Sequence, residues 1–201
     1  MDFKKLQEMQ RALDDAILKE KPEMTAEERF EKTLVALSVE IAELANTAEH
    51  FKFWKENKGK VDGKRFRADV DYSREQIIGY YDYNNGAAYQ IPFEHAHKLT
   101  LVEEASDCLH FILSLANQLN VDIDLIFDKN SILKLRTNEE YYLFILNRIH
   151  LLNARRWEED TITPLYSFLG YIENLGITTQ ELEQAYYDKN EINYRRLREG
   201  Y

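Results

Sequence analysis

The sequence predicts an all-α protein, a helical bundle built as one domain over residues 1–201, and three observations predict it. Apolar residues recur at helical spacing through most of the chain. Only 7 Gly and 3 Pro are present, too few for a turn-rich β-sandwich. Helix-start signals of the form Thr-x-x-Glu stand at Thr25–Glu28, Thr137–Glu140 and Thr178–Glu181, where the hydroxyl and the carboxylate can each satisfy a free backbone amide. No sustained two-residue alternation, no repeat and no low-complexity tract competes with this reading.

In chain order, residues 2–20 have helix spacing and stop before Pro22. The Thr25 cap opens a long helix to about 56. Residues 57–70, charged and with Gly59 and Gly63, read as a loop. Ser73 with Gln76 suits the cap of a short helix, and Asn84-Asn85-Gly86 is a turn signal. A helix from near Pro92 to about Leu119 follows, then a short one over 122–134. The Thr137 cap opens a helix ending near 156. Pro164 suits a helix start and Gly176 a helix stop. Thr178 caps the last helix. Residues 57–98 thus form a less regular insertion.

The formal charge of -10 argues against a nucleic-acid partner, which usually meets a basic face. Cys108 is the single cysteine, set among apolar neighbours; it reads as a buried small residue in a reducing, cytoplasmic setting. The first residues lack an apolar signal core, and no apolar run approaches the ~20 residues that span a bilayer, so no membrane partner is expected.

Two acidic motifs carry the chemistry: Glu40-Ile41-Ala42-Glu43 and Glu104-Ala105-Ser106-Asp107. A spacing of three places both carboxylates of a pair on one helix face, about 60° apart. Glu104 lies in the stripe of Leu101, Cys108, Phe111 and Leu115, whereas Glu103, Ser106, His110, Ser114 and Asn117 read as the solvated face. The helix around Glu40 is apolar almost all round, which predicts a central helix with Glu40 and Glu43 in or on a cleft. Buried carboxylates must be paired, protonated or metal-bound. Four of them, with no His or Cys cluster nearby, suit a hard cation such as Mg²⁺; the alternative is pairing with Lys or Arg across helices.

On the last helix Lys189, Asn193 and Arg196 extend the core stripe of Leu182, Ala185 and Tyr186, a pattern that suits phosphate contacts at a cleft rim or, alternatively, a solvated helix end. Lys52, Trp54 and Lys55 follow the first acidic motif and offer more phosphate charge, or ordinary packing. Gln10 sits between Leu6 and Leu13 on an apolar stripe. Its amide offers the donor and acceptor that a pyrimidine edge requires, or bonds a neighbouring backbone.

Three stretches resemble the opening of the dimeric all-α dUTPases: Phe3-Lys4-Lys5-Leu6-Gln7-Glu8-Met9-Gln10, Ala36 to Asn46, and Phe51-Lys52-Phe53-Trp54-Lys55. Leu101 to Phe111 is similar to their second acidic motif. Lys189-Asn190 with Asn193, Arg196, Gly200 and Tyr201 is similar to their ending, though Leu197 stands where the family usually has Gln. The resemblance covers the chain apart from 57–98. It implies a homodimer with a four-helix metal-binding core, Mg²⁺ as two or more ions, and cleavage of dUTP to dUMP and pyrophosphate. It assigns Glu40, Glu43, Glu104 and Asp107 to metal, Lys55, Lys189, Asn193 and Arg196 to phosphate, and Gln10 to the base. Trp54 is placed with the substrate, and Glu40, Glu43 and Lys55 with catalysis, Glu43 orienting or deprotonating the attacking water. Related substrates such as dCTP or a broad dNTP range, and a non-catalytic binding module, are the competing readings. Residues 57–91, with Arg65, Arg67, Arg74 and five tyrosines, suit a lid over substrate or a dimer contact.

Overall fold

The computed structural model describes residues 1–20, 23–83 and 89–200, with the side chains of 158 and 159 set aside. Pro22, the Asn84-Asn85-Gly86 turn signal and Tyr201 lie outside the described residues. The helices are Phe3–Glu20 (α1), Ala26–Ala48 (α2), Phe93–Gln118 (α3), Ile123–Ile126 (α4), Asn138–Arg155 (α5), Glu158–Asn174 (α6) and Thr179–Arg198 (α7). The fold is all-α, with one small sheet added.

The Thr-x-x-Glu signals act as expected at the helix starts. Thr25 and Thr178 form complete capping boxes with Glu28 and Glu181, and the Thr137 hydroxyl accepts from the Glu140 amide. At the other end of α6, Gly176 takes φ +76 beyond the last turn, a conformation that carries a steric cost for residues with a Cβ.

Four boundaries differ from expectation, each for a local reason. α2 stops at Ala48, not near 56, because Glu49 turns left-handed (φ 54) and its amide closes the helix on the Ala45 carbonyl. The 122–134 stretch holds only α4 and a 3-10 turn over Lys129–Ser131. Asp122 and Asp128 each accept the amide two residues on, offering the backbone an alternative to a continuous helix. α6 begins at Glu158, so Pro164 lies inside the helix in its second turn. Ser73 caps no helix, because Gln76 opens a strand.

That strand belongs to a three-stranded antiparallel sheet over Phe66–Asp71 (β1), Gln76–Asp82 (β2) and Gln90–Ile91 (β3), ordered β1-β2-β3. The register runs from Phe66 opposite Asp82 to Asp71 opposite Gln76, with an irregularity between Asp69 and Val70. Phe66, Ala68 and Val70 alternate with Arg67, Asp69 and Asp71, a short two-residue period hidden by the charges around it. Phe66 and Ile91 pack with Ala96 and fix the sheet to the start of α3.

α3 is the hub. It packs against α2, α7, α1 and α6, and Ala105, Cys108, Leu109, Ile112 and Leu113 are buried in the main core with Leu37, Ile41, Leu44, Leu182 and Tyr186. The expectation of a solvated α3 face is therefore corrected: Ser106, His110 and Ser114 are buried against neighbouring helices. The helix expected to be central, α2, instead leaves Val35 and Val39 exposed. Cys108 is buried, as expected. Among the described residues no helix is long and apolar enough to cross a membrane.

α6 approaches the loop before α5 closely at Gly170. A Cβ there would run into the Leu133 carbonyl oxygen, which the Tyr141 hydroxyl holds in place at 3.0 Å. Gly63 faces open space. Gly170→Ala is expected to cost about 1–3 kcal/mol through overpacking, and Gly63→Ala no more than about 0.5 kcal/mol. Urea unfolding of the two variants beside the parent protein measures both.

Candidate metal and nucleotide site

α2 and α3 lie side by side, and each turns an acidic motif toward the other. One carboxylate oxygen from each of Glu40, Glu43 and Glu104 lies within 4.8 Å of the other two. Glu40 and Glu104 are half-buried and Glu43 is exposed, so the cluster opens to solvent on the Glu43 side. Burial, then the charges of Asp107 and Glu43, push Glu40 up to about 7. The same causes push Glu104 up to about 7, with Glu40 adding to them. Three carboxylates this close cannot all ionise without a compensating charge. Their donor set is all oxygen, the chemistry that suits a hard divalent cation.

Asp107, the fourth expected ligand, faces Lys189. The Lys189 ammonium lies 2.7 Å from Asp107 Oδ2 and 3.6 Å from Glu103 Oε1. Burial raises the Asp107 carboxyl, and the ammonium works against that rise. Asp107 remains close enough to raise both Glu40 and Glu104. α7 thus brings Lys189 into the acidic group, with the charge of Arg196 also felt at Asp107. Asn193 is half-buried on the same helix, and Arg196 is exposed.

Lys55 and Trp54 lie in the segment after α2, which is folded around a residue that sequence reasoning missed. Glu49 is 2% exposed. It binds Lys52 at 2.7 Å, binds Lys55, and accepts the Gly59 amide at 3.0 Å. Burial opposes its ionisation, yet the two ammonium groups hold its carboxyl down to about 2. The available signal was a glutamate ending an amphipathic run with lysines three and six residues on. Trp54 is exposed and meets Phe53 and Phe51 edge-on.

Gln10 is buried and bonded to side chains, not to a neighbouring backbone. Its carbonyl accepts from the Tyr186 hydroxyl at 3.0 Å and from His110 Nδ1 at 2.6 Å, and its amide donates to Asp14 at 2.7 Å. Asp14 also accepts from the Ser114 hydroxyl at 2.6 Å. Burial, then the Lys189 charge, push His110 down to about 3, so the imidazole is neutral. With Nδ1 donating to Gln10, His110 Nε2 is left as an acceptor.

Among the described residues that acceptor has no hydrogen-bond partner, and neither do the buried Ser106 Oγ and Asn190 Nδ2. Ser106 is one turn before His110 on α3, and Asn190 is one turn after Tyr186 on α7. The His110 and Tyr186 rings stack at 4.1 Å. These atoms therefore share the α3–α7 seam. The i, i+4 pairs were visible in sequence, but Ser106 and His110 read as solvated because the α7 contact was not.

The fold is an all-α bundle that brings carboxylates from α2 and α3 beside the Lys189 ammonium of α7, and the comparison with known families gives its class, the nucleoside triphosphate pyrophosphohydrolases. Within that class the chain belongs to the dUTPase family of the all-α dimeric kind, whose family model matches residues 2–85 and 93–201. The match therefore reaches β1 and β2, beyond the segments that resemble the family by eye. No match was found among curated proteins. Membership makes the activity dUTP diphosphatase and the substrate a nucleotide, in a family that generally uses divalent cations.

The raised carboxyls have a consequence for pH. Glu40 and Glu104 hold protons up to about 7 in the folded chain, against an ordinary value of 4.5. Their effect on stability is neutral below the ordinary value and increasingly unfavourable as pH rises through the folded one. Glu49, held down at about 2, is ionised throughout that window and does not offset the loss. In chelator, the melting temperature is expected to fall as pH rises from about 5 to about 8. Added Mg²⁺ should recover more at the higher pH, where it meets fewer competing protons. A thermal-shift series in pH, with and without Mg²⁺, reads both trends; a chelated protein most stable at the alkaline end contradicts them.

Proposed function

We propose that the chain hydrolyses dUTP to dUMP and pyrophosphate at a site where Glu40, Glu43, Glu104 and Asp107 hold Mg²⁺, as two or more ions. The observation that carries this reading is the convergence of the Glu40, Glu43 and Glu104 oxygens within 4.8 Å. When bound, Mg²⁺ supplies positive charge beside the phosphates and makes a nearby water more acidic. Glu43 stands at the open side of the cluster, where it orients the attacking water and accepts its proton. Glu40 and Glu104, half-buried behind it, hold the acidic face in place. Lys55, Lys189, Asn193 and Arg196 neutralise and orient the phosphates, stabilising charge on the departing pyrophosphate.

The nucleoside end is assigned to the α3–α7 seam. Ser106 Oγ, His110 Nε2 and Asn190 Nδ2 offer acceptor and donor atoms there, and Gln10, its amide engaged by Tyr186, His110 and Asp14, serves the base by fixing the His110 tautomer. Trp54 offers an exposed aromatic face beside Lys55. The single buried thiol suits a cytoplasmic setting.

Dimerisation is part of this reading. Val35 at 63%, Val39 at 47% and Leu143 at 64% exposure share an apolar cleft of about 840 Å³ between α2 and α5, with Glu43 on its wall. A second copy placed on this face would bury the exposed valines and lie beside the acidic cluster.

Two measurements test the reading. Glu43→Gln is expected to lower turnover of dUTP by roughly 10²–10⁴-fold, as loss of a positioned proton acceptor does. Pyrophosphate release across dUTP, dCTP and the other dNTPs reads both rate and selectivity; unimpaired turnover removes Glu43 from its role. Val39→Asp places a charge in the apolar face, and sedimentation should then show a monomer where the parent protein is a dimer.

A further inference from the structure

A chain of ionic contacts runs from the sheet to the acidic cluster. Arg65, at the foot of β1, grips Asp82 at the end of β2 through two nitrogens, Nη2 to Oδ2 at 2.9 Å and Nε to Oδ1 at 3.2 Å. Its remaining nitrogen, Nη1, lies 3.4 Å from Glu103 Oε2. The other oxygen of Glu103 lies 3.6 Å from the Lys189 ammonium, which in turn lies 2.7 Å from Asp107. Arg65 and Lys189 are only 16% and 11% exposed, so these charges are weakly screened by solvent. Arg65, Glu103 and Lys189 line a cleft of about 1010 Å³ between α3 and α7, which leaves the ammonium room to change partners.

Among the described residues the Lys189 ammonium makes two ion pairs, with Glu103 and Asp107, and Arg65 pairs with the first of these carboxylates. Glu103 shares its carboxylate with Arg65 and is therefore the weaker competitor for the ammonium. The shorter Lys189–Asp107 contact agrees with this ordering. We propose that Arg65 is a positioning residue: acting through Glu103, it sets the partition of Lys189 between Glu103 and Asp107. It thereby sets how readily Asp107 is released to a divalent cation. The sheet between the two acidic motifs is then part of the control of the site, because Asp82 on β2 holds Arg65 in place. This inference rests on the metal-site reading above and extends it to the insertion.

The physical consequence has a sign that ordinary structural damage would not produce. Without Arg65, Glu103 loses its competing cationic partner and draws Lys189 away from Asp107. The cation then meets less competition for Asp107, while the phosphates lose an ammonium. Arg65→Gln should therefore bind Mn²⁺ on the order of tenfold more tightly, the scale of one nearby charge in a partly screened site, and show a raised KM for dUTP. Glu103→Gln should do the opposite to the cation, because Asp107 is then the carboxylate left in direct contact with Lys189. In the double variant the Arg65 change should add nothing, whereas a through-space effect of the guanidinium charge would persist.

The experiment is a titration of the full chain with Mn²⁺ alone, followed by electron paramagnetic resonance. The parent, the two single variants, the double variant and Glu40→Gln are compared, with steady-state kinetics and melting curves alongside. Tighter Mn²⁺ binding in Arg65→Gln, abolished in the Glu103→Gln background, supports the relay. Unchanged or weaker binding in Arg65→Gln overturns it, while the metal site stands if Glu40→Gln loses Mn²⁺. A parent protein that binds no Mn²⁺ removes both. If Arg65→Gln fails to fold, Glu103→Gln decides alone: unweakened Mn²⁺ binding there overturns the relay.

Discussion

The structure depends on one electrostatic constraint, the mutual repulsion of carboxylates drawn together where α2 meets α3. Glu40, Glu43 and Glu104 converge there, with Asp107 one turn from Glu104 on α3. The helices are held side by side by Leu37, Ile41, Leu44, Ala105, Cys108 and Leu109, and burial of that apolar stripe forces the acidic face to close up as well. The packing does the assembling, and the carboxylates bear the cost. Protons meet that cost at low pH, as the raised Glu40 and Glu104 carboxyls show, and at neutral pH it calls for a compensating positive charge.

The second consequence falls on α3. A helix surrounded by four others would ordinarily be apolar all round. This one carries Ser106, His110 and Ser114 into the interior. The side of this face toward α1 is satisfied by Gln10 and Asp14. The side toward α7 is not: among the described residues Ser106 Oγ, His110 Nε2 and Asn190 Nδ2 have no hydrogen-bond partner. Unpaired polar atoms in a packed seam destabilise a fold unless something else binds them. Water or a polar ligand reaching the seam would meet that cost.

What could be read in the sequence was what is local. Capping boxes need only four residues, so Thr25 and Thr178 announced their helices with the correct starts. Acidic pairs at a spacing of three announced a shared face for the same reason. The sheet escaped because β1 buries only Phe66 at its root, so its alternation of apolar and charged residues resembled a charged loop. Glu49 escaped because its significance lies in the burial of a carboxylate between two lysines, a tertiary fact. The polar face of α3 was assigned to solvent because polar residues are usually outside. Lys189 was placed correctly on a core-continuing stripe, but its partners at Glu103 and Asp107 come from another helix and have no local signature.

Lys189 also shows why the two halves of the site belong together. The acidic group alone would suit a cation, and α7 alone would suit an anion. Placing the ammonium 2.7 Å from Asp107 makes each half occupy the other while no ligand is present. A divalent cation arriving alone must displace the ammonium from Asp107, and a phosphate arriving alone must draw the ammonium away from a carboxylate. A phosphate chain that brings its cation with it satisfies both displaced partners at once, the carboxylate with the metal and the ammonium with the phosphate. On the proposed reading, the contact between Lys189 and Asp107 would therefore favour the metal–nucleotide pair over either component, the selectivity a triphosphate hydrolase requires.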